Sequence, residues 1–163
     1  MNLLPKSSKV KLSEDFTSNM PIALQIKTKS NKMIRPAIDL MCVVDVSGSM
    51  ISRKLNLVKD SLRYLMKILG PEDRIAIVIF STVAHYITPW VRNTPENKEK
   101  LKKVILSMSG LASTNIAAGF QKGLWMLKNR KYKNPISCMF LLSDGFDDEP
   151  GADKRCNEFL EKF

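Results

Sequence analysis

Histidine occurs once in the 163 residues, at His85, and cysteine three times, at Cys42, Cys138 and Cys156, with no C-x-x-C pair. A single histidine leaves little room for a His-built metal centre, and any Ser-His-Asp triad would have to be built on it. An odd set of unpaired cysteines fits neither a disulfide framework nor a cysteine-rich zinc site, and points to a reducing, intracellular and most simply cytoplasmic setting. No apolar run approaches the length of about eighteen residues that a membrane span needs. The opening M-N-L-L-P-K-S-S-K also lacks the apolar stretch of a signal peptide. The reading is a soluble chain with no membrane span. Phosphoryl transfer lacks its usual supports, since there is neither a G-x-x-x-x-G-K-S/T loop nor a D-x-D pair.

What is present suits one domain: 44% of the residues are hydrophobic. Lys and Arg number 26 against 16 Asp and Glu, a net charge of +10, so attraction to nucleic acid, anionic lipid or acidic proteins has to be considered. Residues 1–35 hold seven basic side chains against Glu14 and Asp15, a surplus of five and thus half of the excess. The clusters K-E-K-L-K-K (98–103) and K-N-R-K-Y-K (128–133) read as a solvated helix face and as cations beside a helix carboxyl end. With Phe16 the sole aromatic in the first 36 residues, the arm lacks stacking groups, so nucleic-acid contact would be nonspecific.

Residues 1–36 read as an N-terminal extension or β-arm, because V-K-L-S and I-A-L-Q-I-K-T alternate and K-S-N-K reads as a turn. From Ala37 to Phe163 the pattern becomes that of an α/β domain. I-D-L-M-C-V-V (38–44), R-I-A-I-V-I-F (74–80) and I-S-C-M-F-L-L (136–142) are apolar throughout, as strands buried on both faces must be. V-A-H-Y-I-T after Ser81-Thr82 can return as an antiparallel edge strand, with His85 facing solvent or a neighbour. Helices are predicted over 52–69 (Leu55, Val58, Leu62, Leu65, Leu69) and behind the Thr94-Pro95 cap (Leu101, Val104, Ile105, Met108). A third follows Asn115 (Ile116, Phe120, Leu124, Leu127), and a fourth begins near residue 151. Cys42, Cys138, Met66, Met108 and Met126 fall at core positions. Strands alternating with helices imply a doubly wound, mostly parallel sheet, whose ligands bind beyond the carboxyl ends of the strands.

At those ends stand D-V-S-G-S with Asp45, Ser47 and Ser49, S-T-N with Thr114, and S-D-G-F-D-D with Asp144. Two carboxylates and three hydroxyls from three loops make an all-oxygen set, which suits a hard divalent cation such as Mg²⁺ or Mn²⁺. Two aspartates roughly cancel the ion's charge, and a metal held mainly by neutral hydroxyls stays electrophilic toward one more anionic ligand. Asp147, Asp148 and Glu149 read as a solvated loop, with a second cation site as the alternative.

At these residues the sequence resembles the von Willebrand factor type A (VWA) domain, whose metal-ion-dependent adhesion site (MIDAS) uses D-x-S-x-S, a threonine and an aspartate on three loops. The resemblance runs from about Arg35 to Gly145. It looks closest to the A domains of eukaryotic proteins that also carry a RING finger and act in ubiquitin ligation. It implies a Rossmann-like sheet in the order 3-2-1-4-5-6, direct metal contacts from Ser47, Ser49 and Thr114, and aspartates that often act through water. Two departures stand out. Ala112-Ser113 replaces the glycines that usually precede the threonine, and only four strands follow Pro36. Six strands would need roughly 170 to 200 residues, so the fold is expected to be truncated after the fourth strand. A second chain, the arm folding back, or residues beyond Phe163 would then have to complete the sheet, and supply from outside is favoured.

The function these features imply is a metal-dependent protein–protein interaction module, in which the cation bridges to an acidic residue of a partner. It is read as an assembly subunit that is not an enzyme, because no RING cysteines are present. A metal-assisted hydrolase or phosphoryl-transfer enzyme using Asp45, and a basic nucleic-acid-associated protein, are the alternatives.

Overall fold

The computed structural model describes residues 35–110 and 113–163. Apart from Arg35 and Pro36, the β-arm expected over 1–36 lies outside them. Four strands, β1 (Ile38–Asp45), β2 (Arg74–Phe80), β3 (Ala84–Arg92) and β4 (Ile136–Leu142), alternate with α1 (Arg53–Ile68), α2 (Pro95–Ser107), α3 (Ile116–Lys128) and α4 (Ala152–Glu161). They form one sheet in the order β3-β2-β1-β4. β1 runs parallel to β2 and β4, while β3 returns antiparallel to β2, as the short Ser81–Val83 connection requires. This is an α/β, doubly wound, mostly parallel sheet of the Rossmann-like kind that the sequence implied.

The central strand shows why its sequence is apolar throughout. Leu40, Cys42 and Val44 point to one face, where they meet Leu55, Leu62 and Met66 of α1 and Leu101 and Ile105 of α2. Met41 and Val43 point to the other, where Met126 and Leu127 of α3 cover them together with Phe80. Each face removes its own apolar surface from water, so alternate residues of one strand serve two separate cores. The Thr94 cap forms as expected, its hydroxyl accepting from the Asn97 N–H at 3.4 Å.

Three expectations need correction. The buried face of α3 keeps Leu124 and Leu127 of the expected stripe but runs through Ala117, Gly119, Gly123 and Met126 rather than Ile116 and Phe120. The two glycines explain the shift. A Cβ on Gly119 would stand 2.4 Å from Cδ1 of Phe80, and one on Gly123 would stand 2.7 Å from Cγ2 of Val43. The helix thus lies closer to the sheet than any side chain at those positions permits. Next, β4 is apolar but not enclosed: Ile136, Phe140 and Leu141 are 39–44% exposed. Its open edge, by contrast, is what truncation after the fourth strand implies: one edge of β4 pairs with β1, and no strand among the described residues pairs with the other. Finally, Arg130 in the basic run at 128–133 is not solvated. Its Nε lies 2.7 Å from the Asp39 carboxylate, and its guanidinium also reaches the Leu127 carbonyl.

Asp39 anchors a buried ionic cluster at the amino end of β1. Its fully buried carboxylate accepts from Nε of Arg74 at 2.8 Å, Nε of Arg130 at 2.7 Å and the Asn134 N–H at 3.1 Å. Burial alone would push this carboxyl's pKa up. The Arg74 guanidinium, the Asn134 N–H and the Arg130 charge outweigh burial and hold it below the usual carboxylate range. Asp73 behaves alike: burial raises it, but Arg35 and the Ile38 and Gly70 N–H groups bring the net shift downward.

Candidate functional site

The carboxyl end of the sheet holds the residues singled out by the sequence. Asp45 closes β1 and is fully buried. One of its oxygens accepts from the Ser47 N–H and the other from the Ser143 hydroxyl, each at 2.8 Å. Both donors are neutral, and no basic side chain among the described residues pairs with this carboxylate. A buried carboxylate without a counter-charge is costly. The loop then turns tightly: the Ser47 hydroxyl is buried 3.1 Å from that of Ser49, and Gly48–Met50 forms a single 3₁₀ turn. The Val46 N–H donates to the Phe80 carbonyl at 2.9 Å, which ties this loop to the end of β2.

Asp144 follows β4 and takes part through a different partner. The Lys54 ammonium, in the first turn of α1, lies 2.7 Å from its carboxylate. That contact is the main cause holding the Asp144 carboxyl below its ordinary range. Partial burial opposes the shift, and the Ser49 hydroxyl and Phe146 N–H assist it. Ser49 thereby connects the Ser47 pair to Asp144, and Ser143 connects β4 to Asp45.

Thr114 is buried at the turn before α3. Its neighbour Asn115 donates its N–H to the Ser81 carbonyl at 2.7 Å, placing the turn beside the ends of β2 and β1. Asn115 also caps α3, its side chain accepting from the Ala118 N–H at 2.9 Å. No side-chain hydrogen bond among the described residues links Thr114 with Asp45, Ser47, Ser49 or Asp144. Its ties run through its backbone instead. The Thr114 N–H donates to the Asp148 carboxylate at 2.7 Å, and the Asp148 N–H returns a bond to the Thr114 carbonyl at 3.1 Å. The acidic run at 147–149 is exposed at Asp148 and Glu149, as a solvated loop would be, yet Asp148 is also tied to the Thr114 turn.

Sequence reasoning missed four participants. Ser143 sat inside the quoted S-D-G, but its bond to Asp45 depends on β4 lying next to β1. Lys54 and Asp148 meet their partners 90 and 34 residues away along the chain. No local pattern signals such contacts. Ser113, noted only as standing where the family usually has glycine, donates its hydroxyl to Asp148 at 2.9 Å.

Chemically, this is an oxygen-only corner. No group of three or more His, Cys, Asp and Glu among the described residues is placed to hold a metal, so any ion here depends on the hydroxyls. Serine and threonine oxygens beside two carboxylates, one lacking a positive partner, are the donors a hard divalent cation takes.

The fold is that of an α/β domain of the doubly wound class. A family model described as the von Willebrand factor type A domain matches residues 40–146, more than half of the chain, and the chain belongs to that family. Domains of this family mediate protein–protein interactions and commonly bind a divalent metal. The chain is 28% identical over 165 residues to a probable E3 ubiquitin-protein ligase of Arabidopsis thaliana, WAVH2, covering 93% of this chain and 22% of that protein. It is 32% identical over 109 residues to the human inter-alpha-trypsin inhibitor heavy chain H3, covering 63% of this chain and 12% of that one. A solved von Willebrand factor type A protein from Catenulispora acidiphila superposes with a TM-score of 0.66 at 16% identity, over 77% of this chain and 30% of that one, which supports the fold alone.

The chain thus spans about a fifth of the ligase's length. These relatives overturn the expectation of a protein that is not an enzyme. Three Arabidopsis proteins that it matches are named as E3 ubiquitin-protein ligases, although the matches are distant and partial. The lack of RING cysteines within 163 residues does not bear on chemistry elsewhere in those longer proteins. No helix among the described residues is long and apolar enough to cross a membrane.

Proposed function

We propose that this chain is a metal-dependent protein-interaction module that acts within ubiquitin ligation. Ser47, Ser49 and Thr114 would contact Mg²⁺ or Mn²⁺, with Asp45 and Asp144 close by. When bound, the ion supplies a positive centre for an anionic ligand, most simply a Glu or Asp of the partner. The observation that carries this reading is the Asp45 carboxylate, buried with neutral donors only, beside the paired hydroxyls of Ser47 and Ser49. Lys54 covers the negative charge of Asp144 but leaves that of Asp45 unmatched.

The link to ubiquitin ligation is supported by the names of the Arabidopsis relatives, and in this reading the chain would be the partner-binding portion of a ligase. The free cysteines Cys42, Cys138 and Cys156 favour an intracellular, cytoplasmic setting. The unpaired edge of β4 favours a strand supplied from outside the described residues, since such an edge is otherwise a template for association.

The test is binding of a glutamate-containing peptide to the full chain, followed by fluorescence anisotropy. Binding is expected in millimolar Mn²⁺ and abolished by EDTA or by Thr114→Ala. Binding that survives EDTA contradicts the proposal.

A further inference from the structure

Asp148 holds the Thr114 turn at three points, two through its carboxylate and one through its backbone N–H. It accepts from the Thr114 N–H at 2.7 Å and from the Ser113 hydroxyl at 2.9 Å, and the Asp148 N–H donates to the Thr114 carbonyl at 3.1 Å. Asp147 adds a fourth contact, its Oδ1 accepting from the Ile116 N–H at 3.3 Å. The same loop carries Asp144, whose carboxylate accepts from the Phe146 N–H at 3.3 Å. The connection after β4 and the turn before α3 are thereby joined into one piece.

The β1 loop needs no such aid, because Val46 already hangs on Phe80 and Asp45 on Ser143. Among the described residues, the Thr114 turn is tied on its other side by the Asn115 bond to Ser81. A ligand set drawn from three loops works only when their spacing is fixed to within about half an ångström. Ser113 is part of the device. Where the family usually has glycine, this chain places a hydroxyl that donates to Asp148.

We propose that Asp148, with Ser113, is a positioning latch that fixes the Thr114 turn against the Asp144 loop and so sets the affinity of the metal site. This rests on the metal reading above. Asp148 touches no reacting group; it acts through the backbone of Thr114. Residues that orient metal ligands in this way typically change affinity about 10- to 100-fold when removed.

The experiment is a Mn²⁺ titration of the full chain, read by the electron paramagnetic resonance signal of free Mn²⁺, on wild type, Asp148→Ala, Asp148→Asn and Ser113→Ala. Thermal melts without metal verify that each is folded at the assay temperature. Asp148→Ala is expected to bind at least about tenfold more weakly. Asp148→Asn keeps an acceptor for the Thr114 N–H and is expected to bind nearly as well as wild type, with Ser113→Ala between them. Folded Asp148→Ala that binds as tightly as wild type overturns the latch and leaves the metal reading standing. Asp148→Asn as weak as Asp148→Ala overturns it too, since charge and not hydrogen bonding would then be responsible. Should Asp148→Ala not fold, Ser113→Ala decides: unchanged affinity overturns the latch. No Mn²⁺ binding by wild type at millimolar metal overturns the underlying reading and the latch together.

Discussion

Replacing Asp39 by alanine should unfold much of the margin by which this domain is stable, without touching the proposed site. The carboxylate is fully buried and is the shared partner of Arg74 and Arg130, whose side chains are themselves about nine-tenths buried. Removing it leaves two guanidinium groups without their counter-charge and the Asn134 N–H without its acceptor. Breaking a buried ion pair from one side destabilises by about 3–5 kcal/mol. For a domain of this size each kcal/mol moves the melting midpoint by about 3–5 °C. The expected fall is therefore on the order of 10–20 °C.

Arg130→Ala should lower the midpoint less, because Arg74 still neutralises Asp39. The acid limb reports the same cluster. The Asp39 pKa is lowered on folding, so its contribution is fully present above the unfolded value of about 3.9 and is lost as pH falls through the lower folded value. Asp39→Ala has no such contribution to lose, and its stability should fall less steeply below about pH 4. Asp39 and Asp45 sit at opposite ends of β1, about 20 Å apart at the rise of an extended strand. Folded Asp39→Ala should thus bind metal normally. Calorimetric melts from pH 3 to 7 check the whole set. A midpoint within about 3 °C of wild type at pH 7 would refute the claim that this cluster carries buried charge.

Other perturbations have equally definite outcomes. Gly123→Ala drives a methyl to within 2.7 Å of Val43 and 2.8 Å of the Met139 sulfur, and should destabilise by about 1–3 kcal/mol in urea unfolding. Ser52 leads into α1 with φ of 73° and ψ of −111°, a conformation that suits glycine, so Ser52→Gly should stabilise by about 1 kcal/mol after the entropy of the unfolded chain is counted. Lys54→Met removes the ammonium that competes for Asp144 and should tighten Mg²⁺ binding about two- to fivefold, measured by calorimetry. Burial pushes the Cys42 thiol up to about 12, so this cysteine should resist a thiol reagent at pH 8 until the domain unfolds.

The strands, helix positions and the Thr94 cap were legible because each rests on local chemistry: periodicity, a hydroxyl before a helix, a proline at its first turn; the strand order came from the family resemblance. The candidate ligands were legible for a related reason, since every one follows a strand or precedes a helix at the sheet's carboxyl end. What escaped was pairwise and distant. The approach of α3 depends on Phe80 and Val43 standing under Gly119 and Gly123, and nothing within G-F-Q-K-G states which residues lie beneath. Arg130 looked like one cation in a basic run until folding brought it onto Asp39, 91 residues earlier in the chain. Asp148 is exposed, as its charge run suggests, but its bond to the Thr114 N–H is not legible there, because a charge run alone does not tell whether a backbone N–H lies nearby. β4 reads as an enclosed strand, yet its exposure is fixed by what lies beside it and not by its own residues.

The most direct test of the central claim is isothermal calorimetry of Mg²⁺ and Mn²⁺ binding to the full chain, carried into the millimolar range, with wild type beside Asp45→Ala and Thr114→Ala. Folding of each protein is verified by its thermal transition. One divalent ion per wild-type chain, with severe loss in both variants, is the predicted result. Equal binding by wild type and Asp45→Ala, or no binding by any of the three, would contradict the assignment of this loop cluster as a metal site.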